Sequence, residues 1–195
     1  VAEQAAQQAA IALILSLLAT IAYLWFRFGT MEYGLGAIIA LIHDVAVALG
    51  AVSLTHFVAG TAIGNMLMIT DMRIDLALVA AFLTIIGFSV NDTIVIFDRI
   101  RENRGRLGVL SPQLINDSIN QTLPRTILTT FTVILAVTVL YVSGGPGIHS
   151  FAFAMMIGCI SGTYSTVVLA APLLYRPTAM RVILAVIVLV TALGM

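Results

Sequence analysis

Lysine is absent from this chain of 195 residues, cysteine occurs once, and charged residues make up only 9% of it. All nine basic residues are arginines, and nine acidic residues balance them to a net charge of zero. Because soluble domains carry roughly 25% charged residues, this composition excludes an aqueous globular fold. Without a basic patch beyond short clusters beside apolar runs, the sequence also argues against nucleic-acid binding.

Several kinds of reactive site are missing as well. The single Cys159 excludes an internal disulfide and argues against a thiolate metal site, and the three histidines are isolated from one another. We find no nucleotide-binding loop, nucleophile elbow or metal-ligand spacing. The sequence therefore predicts a protein that is not an enzyme and that needs no cofactor or metal.

Apolar residues are abundant instead. They make up 61% of the chain, whose mean hydropathy is +1.10. An uncharged apolar run of 18 or more residues is long enough to cross a bilayer as a helix. We predict an all-α, polytopic transmembrane helix bundle with about five full spans, at 9–26, 34–54, 74–97, 125–142 and 148–175.

These spans form one predicted transmembrane domain, 1–175. The polar-interrupted stretch 56–75 is too broken to be predicted as a span, and 176–195 is interpreted as a truncated apolar tail. The chain starts without methionine, lacks the positive region of a secretory signal, and stops within an apolar run. We interpret it as a piece of a longer protein.

The longest predicted connection is 98–123. Ser111 followed by Pro112 is typical of a helix N-cap with proline at the first helical position. This pattern predicts a short surface helix over 113–121. The run Thr122-Leu123-Pro124 then predicts a break before the fourth span.

The placement of arginine predicts the orientation. If the third span ends in the cytoplasm, one arginine faces outward, at Arg73. Seven lie inside, namely Arg27, Arg99, Arg101, Arg104, Arg106, Arg176 and Arg181, and Arg125 is left out because it is expected to lie within the membrane. An excess of arginine in cytoplasmic loops is the usual rule. The 98–123 connection is therefore predicted to be cytoplasmic, and the N-terminal end of this fragment to be outside.

The most informative stretch is FLTIIGFSVNDTIVIFDRIREN, 82–103, which places Asp92 inside an apolar span. A carboxylate at the centre of a membrane helix costs about 2.5–3.5 kcal/mol, and such residues usually mark a proton, ion or substrate path. We predict that Asp92 is a proton-coupling residue. The alternative is a static packing residue held by Asn91 and Thr93.

Two further residues are candidates for the same proton-coupling site. Asp44 lies some 15 Å into the second span, Asp92 lies roughly 10 Å before Arg99, and Arg125 begins the fourth span. Pairing with arginine favours an ionised carboxylate, whereas an apolar environment favours the protonated one. A helix movement that breaks such a pair would bind or release a proton. The alternatives are an Arg125 that snorkels to the interface and an Asp44 that is structural, with His43 as its companion.

Small and polar residues predict where helices approach each other. Gly158 and Gly162 form a small-xxx-small face on the fifth span, and Ser161, Ser165 and Thr166 extend this packing face. The fourth span presents Arg125, Thr129, Thr132 and Ala136 at helical spacing, and we predict that this face packs around the third span. The predicted supporting residues are Asn91, Thr93, Thr129, Gly158 and Gly162.

The run GFSVNDTIVIFDRIREN, 87–103, resembles the fourth-helix signature of the SecF branch of the SecD/SecF protein-export family. Three further stretches resemble that family in the same order. They are Arg27-Phe28 with LIHDV (41–45), NQTLPRTILTTFT (120–132) and GTYSTVVLAAPLLY (162–175).

This resemblance implies a member of the resistance-nodulation-division superfamily in the inner membrane. Its implied partners are SecD, separate or fused, the SecYEG translocon and the translocating polypeptide. The implied activity is use of the proton-motive force to assist protein export, with Asp92 and Arg125 at the family's proton-coupling positions and Asp44 at its acidic second-helix position. The family's first helix and periplasmic domain have no counterpart in this sequence.

Two other functions remain open from the residues. One is half of a proton-coupled small-molecule transporter of the same superfamily, although its usual lysine is absent here. The other is a passive scaffold for the translocon.

Overall fold

The computed structural model describes residues 2–29, 31–72, 74–105 and 109–175, and these are helical apart from short turns. The helices are α1 (Ala2–Phe28), α2 (Met31–Val58), α3 (Ala62–Met66), α4 (Leu76–Arg104), α5 (Pro112–Ser143), α6 (Pro146–Ser165) and α7 (Ala171–Leu173). A π-helical segment, Thr166–Ala170, joins α6 to α7. The predicted tail 176–195 lies outside the described residues.

Within the described residues, four stretches are long and apolar enough to cross a membrane, namely Glu32–Val58, Leu76–Arg104, Pro112–Ser143 and Gly147–Leu173. In α1 the apolar part is shorter, Ile14–Phe28. The prediction of an all-α bundle of membrane helices is confirmed. In the interrupted stretch 56–75, α2 ends at Val58 and the short α3 follows.

The predicted break at Thr122-Leu123-Pro124 is wrong, because α5 runs without interruption through Pro124. A proline inside a helix removes one backbone hydrogen bond. Two residues before Pro124, the Thr122 hydroxyl donates to the carbonyl oxygens of Ser118, at 3.0 Å, and Ile119, at 3.1 Å. The surface helix and the fourth span are therefore one element.

The predicted N-cap of α5 is confirmed, since the Ser111 hydroxyl accepts from the Leu114 amide at 3.2 Å.

Helix α4 lies at the centre of the bundle, packed against α2, α5 and α6, and α1 covers one side of α2 and α4. At one end, the rings of Phe28, Tyr33 and Phe97 contact each other with centroids 5.2–5.7 Å apart. These apolar contacts fix α1 and α2 against the last turns of α4.

Charged side chains collect at this same end of the bundle. Arg27 donates to Asp98 at 2.6 Å, which joins α1 to α4. Arg99 donates to Gln121 at 2.5 Å and to Glu102 at 2.6 Å. The contact between Arg99 and Gln121 sets the register of α4 against the antiparallel α5.

At the opposite end, the loop that carries α3 is fastened to α5 and α6. The Tyr141 hydroxyl donates to the carbonyl oxygens of Leu67, at 2.9 Å, and Met68, at 3.2 Å. The His149 ring stacks on Tyr141 with centroids 4.0 Å apart, and its Nε2 lies 2.8 Å from the Met68 carbonyl oxygen. The loop leads into α4, whose first turn is capped by Asp75.

Tyr141→Phe is expected to release this loop locally, because its hydroxyl is the donor to both carbonyls. A lost hydrogen bond of about 1 kcal/mol corresponds to roughly fivefold faster amide exchange over 59–72. Hydrogen exchange followed by mass spectrometry measures this. Tyr164→Phe is the matched control, since the Tyr164 side chain is exposed. Equal exchange in both variants would contradict the fastening role.

Candidate functional site

Asp92 lies in the interior of the bundle, on the central helix α4. Asp92 is 3% exposed, and among the described residues its Oδ2 has no hydrogen-bond partner. Seven residues, or about 10 Å along the helix, separate it from Arg99 at the charged end. A buried carboxylate oxygen without a donor costs free energy. Among the buried carboxylate oxygens of the described residues, Asp92 Oδ2 is the one that has no hydrogen-bond partner.

Hydroxyl groups surround this level of the bundle. Thr93 on α4 contacts Thr166 of the π-helical segment, with 3.2 Å between the two hydroxyl oxygens. Thr130 on α5 contacts Thr163 on α6 at 2.7 Å. The buried Thr126 hydroxyl has no partner among the described residues. A hydroxyl group can both donate and accept, but none of these bonds to Asp92 Oδ2 among the described residues.

Arg125 interacts electrostatically with Asp92 across the contact between α4 and α5, but no ion pair within 4.0 Å joins them in the part of the chain described. Arg125 lies four residues, or roughly 6 Å, beyond Gln121, and Asp92 lies about 10 Å before Arg99. Because Arg99 and Gln121 are in contact, the two residues lie at similar depths. Arg125 is itself exposed on the outside of α5.

Asp44, on α2, is fully buried and its carboxylate is surrounded by donors. Ser89 donates to its Oδ2 at 2.6 Å and Ser165 donates to the same oxygen at 2.8 Å. Ser161 donates to Oδ1 at 2.9 Å, and Nδ1 of the part-exposed His43 lies 3.2 Å from Oδ1. The acid thus joins α2 to both α4 and α6.

The two predicted glycines allow α6 to approach this network. A methyl group added at Gly158 would overlap the side chain of Ile85 on α4. One added at Gly162 would lie 3.3 Å from the Ser89 Cβ and 3.6 Å from Asp44 Oδ2. The glycine face therefore lies directly against α4 and beside the Asp44 carboxylate.

Two predicted supporting residues lie elsewhere. Asn91 and Thr129 are both exposed, and the Thr129 hydroxyl donates to carbonyl oxygens of its own helix. The prediction that the Arg125–Thr129 face of α5 packs around α4 is wrong. The buried face is turned by one residue and includes Thr122, Thr126, Thr130, Val137 and Tyr141. Threonines occupy both faces of α5, so their spacing alone did not identify the inner one.

The sequence reasoning missed Ser89 as a ligand of Asp44 and assigned Ser161 and Ser165 only to helix packing. The signal was present in the spacing of Ser161 and Ser165, which places both hydroxyls on one face of α6. The π-helical segment that begins directly after Ser165 had no sequence signal. Such segments frequently occur at functional sites.

No group of three or more histidine, cysteine, aspartate or glutamate side chains that could hold a metal ion occurs among the described residues. The fold and the site together define a class, a multi-pass α-helical membrane protein with two buried carboxylates, Asp44 and Asp92, among its packed helices. A comparison with protein families gives the finer assignment. Residues 1–180 match the family described as "Protein export membrane protein SecD/SecF, C-terminal".

The chain belongs to this SecD/SecF membrane-protein family. It is 45% identical over 175 residues to the protein translocase subunit SecF of Koribacter versatilis, covering 89% of this chain and 39% of that protein. It is 43% identical over 177 residues to SecF of Desulfurispirillum indicum, covering 88% and 51%. With SecDF of Brucella abortus it shares 43% identity, covering 90% of this chain and 21% of the relative.

Solved structures agree with this assignment. The crystal structure of SecDF from Thermus thermophilus, described as a translocon-associated membrane protein, matches with a TM-score of 0.73 and 34% identity, covering 88% of this chain and 22% of that one. A super-membrane-facing form of SecDF matches with a TM-score of 0.67 and 36% identity, covering 85% and 20%. The chain thus spans about half or less of the length of these relatives.

Proposed function

We propose that this chain is the transmembrane part of a SecF-like subunit that uses the proton-motive force to assist protein export, with Asp92 as the group that takes up and releases the proton. The observation that carries this proposal is the buried Asp92 with its unpartnered Oδ2. Ionisable side chains inside membrane bundles are usually functional, and a proton path is among their commonest roles.

Arg125 is the proposed counter-charge. It lies within electrostatic range of Asp92 but outside ion-pair distance. Because Arg125 lies on the exposed face of α5, a rotation of α5 about its axis would bring the cation towards the carboxylate or remove it, and these two arrangements favour the ionised and protonated forms respectively. Proton uptake and helix movement are coupled in this way.

The exposed faces of α4 and α5 support a partner subunit in the membrane. Asn91, Gly87 and Thr84 form an exposed stripe on α4, and Arg125 is exposed beside it. Polar groups at this depth are costly against lipid. We propose that a SecD half, separate or fused, covers this surface, in line with relatives named SecDF. The complete protein would act with SecYEG on the translocating polypeptide.

The proposed orientation places the charged end of the bundle in the cytoplasm. Arg27, Arg99 and Arg101 lie together at the ends of α1 and α4. An excess of arginine marks the cytoplasmic side, so the loop that carries α3 would face outward and the N-terminal end of α1 with it. Cysteine labelling from each side of the membrane at Glu102 and Asn65 tests this. Labelling of position 102 from outside would reverse the assignment.

Arg125→Gln is expected to remove most of the proton-dependent stimulation of export, because Asp92 then lacks its counter-charge in both states. Arg125→Lys retains the charge and is expected to keep part of the stimulation, since lysine supplies a point charge without the guanidinium geometry. Export in proteoliposomes, with and without a proton gradient, measures both. Arg101→Gln is the matched control on an exposed arginine. Full activity of Arg125→Gln would leave Arg125 with only an interfacial role.

Two other functions are outcomes of the same measurements. A passive scaffold would stimulate export equally with and without the gradient. A small-molecule transporter would move or bind drugs and would not bind SecD and SecYEG.

A further inference from the structure

The two buried acids of the bundle differ in their hydrogen bonding. Asp44 is fully enclosed and has four potential donors, Ser89, Ser161, Ser165 and His43. Asp92 has an oxygen without any partner in the described structure. Two carboxyl groups of the same chemistry at neighbouring levels therefore have opposite surroundings.

The four partners of Asp44 match the number of lone-pair positions that a carboxylate offers. Such a group only accepts hydrogen bonds and offers about four lone-pair positions, whereas a protonated acid must also donate one. Three of the donors are hydroxyl groups directed at the two oxygens over 2.6–2.9 Å. Hydrogen bonds to a charged group are the stronger ones, so these contacts join α2 firmly to α4 and α6.

The position of Asp44 connects it to the proposed proton carrier. Ser89 lies three residues before Asp92 on α4, so the bond from Ser89 holds the turn that leads to Asp92. Ser165 is the last residue of α6 before the π-helical segment, whose Thr166 contacts Thr93 beside Asp92. The carboxylate of Asp44 therefore fixes both helices that enclose Asp92.

We propose that Asp44 is a positioning residue, a fixed charge that holds α4 and α6 around Asp92 and does not itself carry protons. This rests on the proposed function, in which Asp92 is the carrier, and it separates Asp44 from the proton-coupling role predicted from the sequence. The titratable or charged groups near this level are His43 on α2, Asp92 on α4, Arg125 on α5, and Cys159 and Tyr164 on α6.

The deciding measurement is infrared difference spectroscopy of the complete protein with its partner subunit in lipid, as the pH is varied. The C=O stretch of a protonated carboxyl group identifies an acid that takes up a proton. We expect this band in the wild type and in Asp44→Asn, and its loss in Asp92→Asn. Its loss in Asp44→Asn with retention in Asp92→Asn would overturn the proposal.

Serine variants keep the test informative if Asp44→Asn fails to fold. Ser89→Ala, Ser161→Ala and Ser165→Ala each remove one donor and are expected to lower Tm by roughly 3–6 °C. Ser53→Ala is the matched control, because the exposed Ser53 hydroxyl only donates to Leu49 of its own helix. Unchanged Tm in all three would contradict an anchoring carboxylate.

Positioning, as distinct from stability alone, has its own readout. Ser89→Ala and Ser165→Ala are expected to shift the frequency of the Asp92 band, although Asp92 itself is unaltered, and Ser53→Ala is expected to leave it in place. An unshifted band would overturn the positioning role. If the band survives in both Asp92→Asn and Asp44→Asn while the serine variants are destabilised, the proton-carrier proposal fails and the anchor stands.

Discussion

Asp92→Asn is expected to abolish the proton-dependent stimulation of protein export while leaving the complex assembled. Asparagine has nearly the same shape and cannot take up a proton, so export rates with and without a proton gradient should become equal. Moving one charge through 100 mV is worth about 2.3 kcal/mol, or roughly a 50-fold bias. This is the driving force that the variant would lose at Asp92.

Proteoliposomes that contain the complete protein, its partner subunit and the translocon provide the measurement. Asp98→Asn is the matched control, because Asp98 lies on the same helix, is 40% exposed and is already paired with Arg27. Exposed ion pairs contribute little, so this control should retain its stimulation. Undiminished stimulation in Asp92→Asn would establish the scaffold alternative in place of the motor.

Gly158→Ala is expected to have the largest effect on stability. The added methyl group would overlap the fully buried Ile85 side chain where α6 meets α4. Overpacking of a closely packed interior costs about 1–3 kcal/mol, and α4 and α6 are the helices that hold Asp92 and the serine donors. Thermal unfolding in detergent or nanodiscs measures the loss.

A control and a rescue sharpen this test. Gly50→Ala lies on the neighbouring helix α2, at an exposed position that meets nothing within 4 Å, so its Tm should be unchanged or slightly higher. Ile85→Ala removes the side-chain atoms that Gly158→Ala would meet. The double variant should therefore be less destabilised than the sum of the two single variants. Strict additivity would show that this contact does not limit the approach of α6.

The identity of the candidate acids could be read from the sequence because charge is rare in an apolar span. Asp44 and Asp92 are conspicuous for their cost in a bilayer, and both are buried in the structure. The residues that bind Asp44 could not be read in the same way. Serine and threonine are inexpensive in membrane helices and occur on every face, so only packing distinguishes Ser89 and Ser165 from the exposed Ser53.

The continuity of α5 is a second feature that the sequence alone did not predict. Proline usually marks a helix boundary, so the sequence predicts a break at Pro124. Membrane helices generally tolerate an internal proline, because neighbouring groups can satisfy the freed backbone. Pro124 therefore lies inside one helix of 32 residues.

By itself the sequence determined that this protein lies in a membrane, that it is helical and which family it resembles. It also determined that two acids, Asp44 and Asp92, lie within apolar spans. Each of these follows from composition along the chain. Only the tertiary structure decided that Asp44 is surrounded by donors while Asp92 retains an unpartnered oxygen, and that Arg125 lies on the outer face of α5. Those differences depend on the rotation and depth of each helix against its neighbours. Contacts between residues that are distant in the sequence set both.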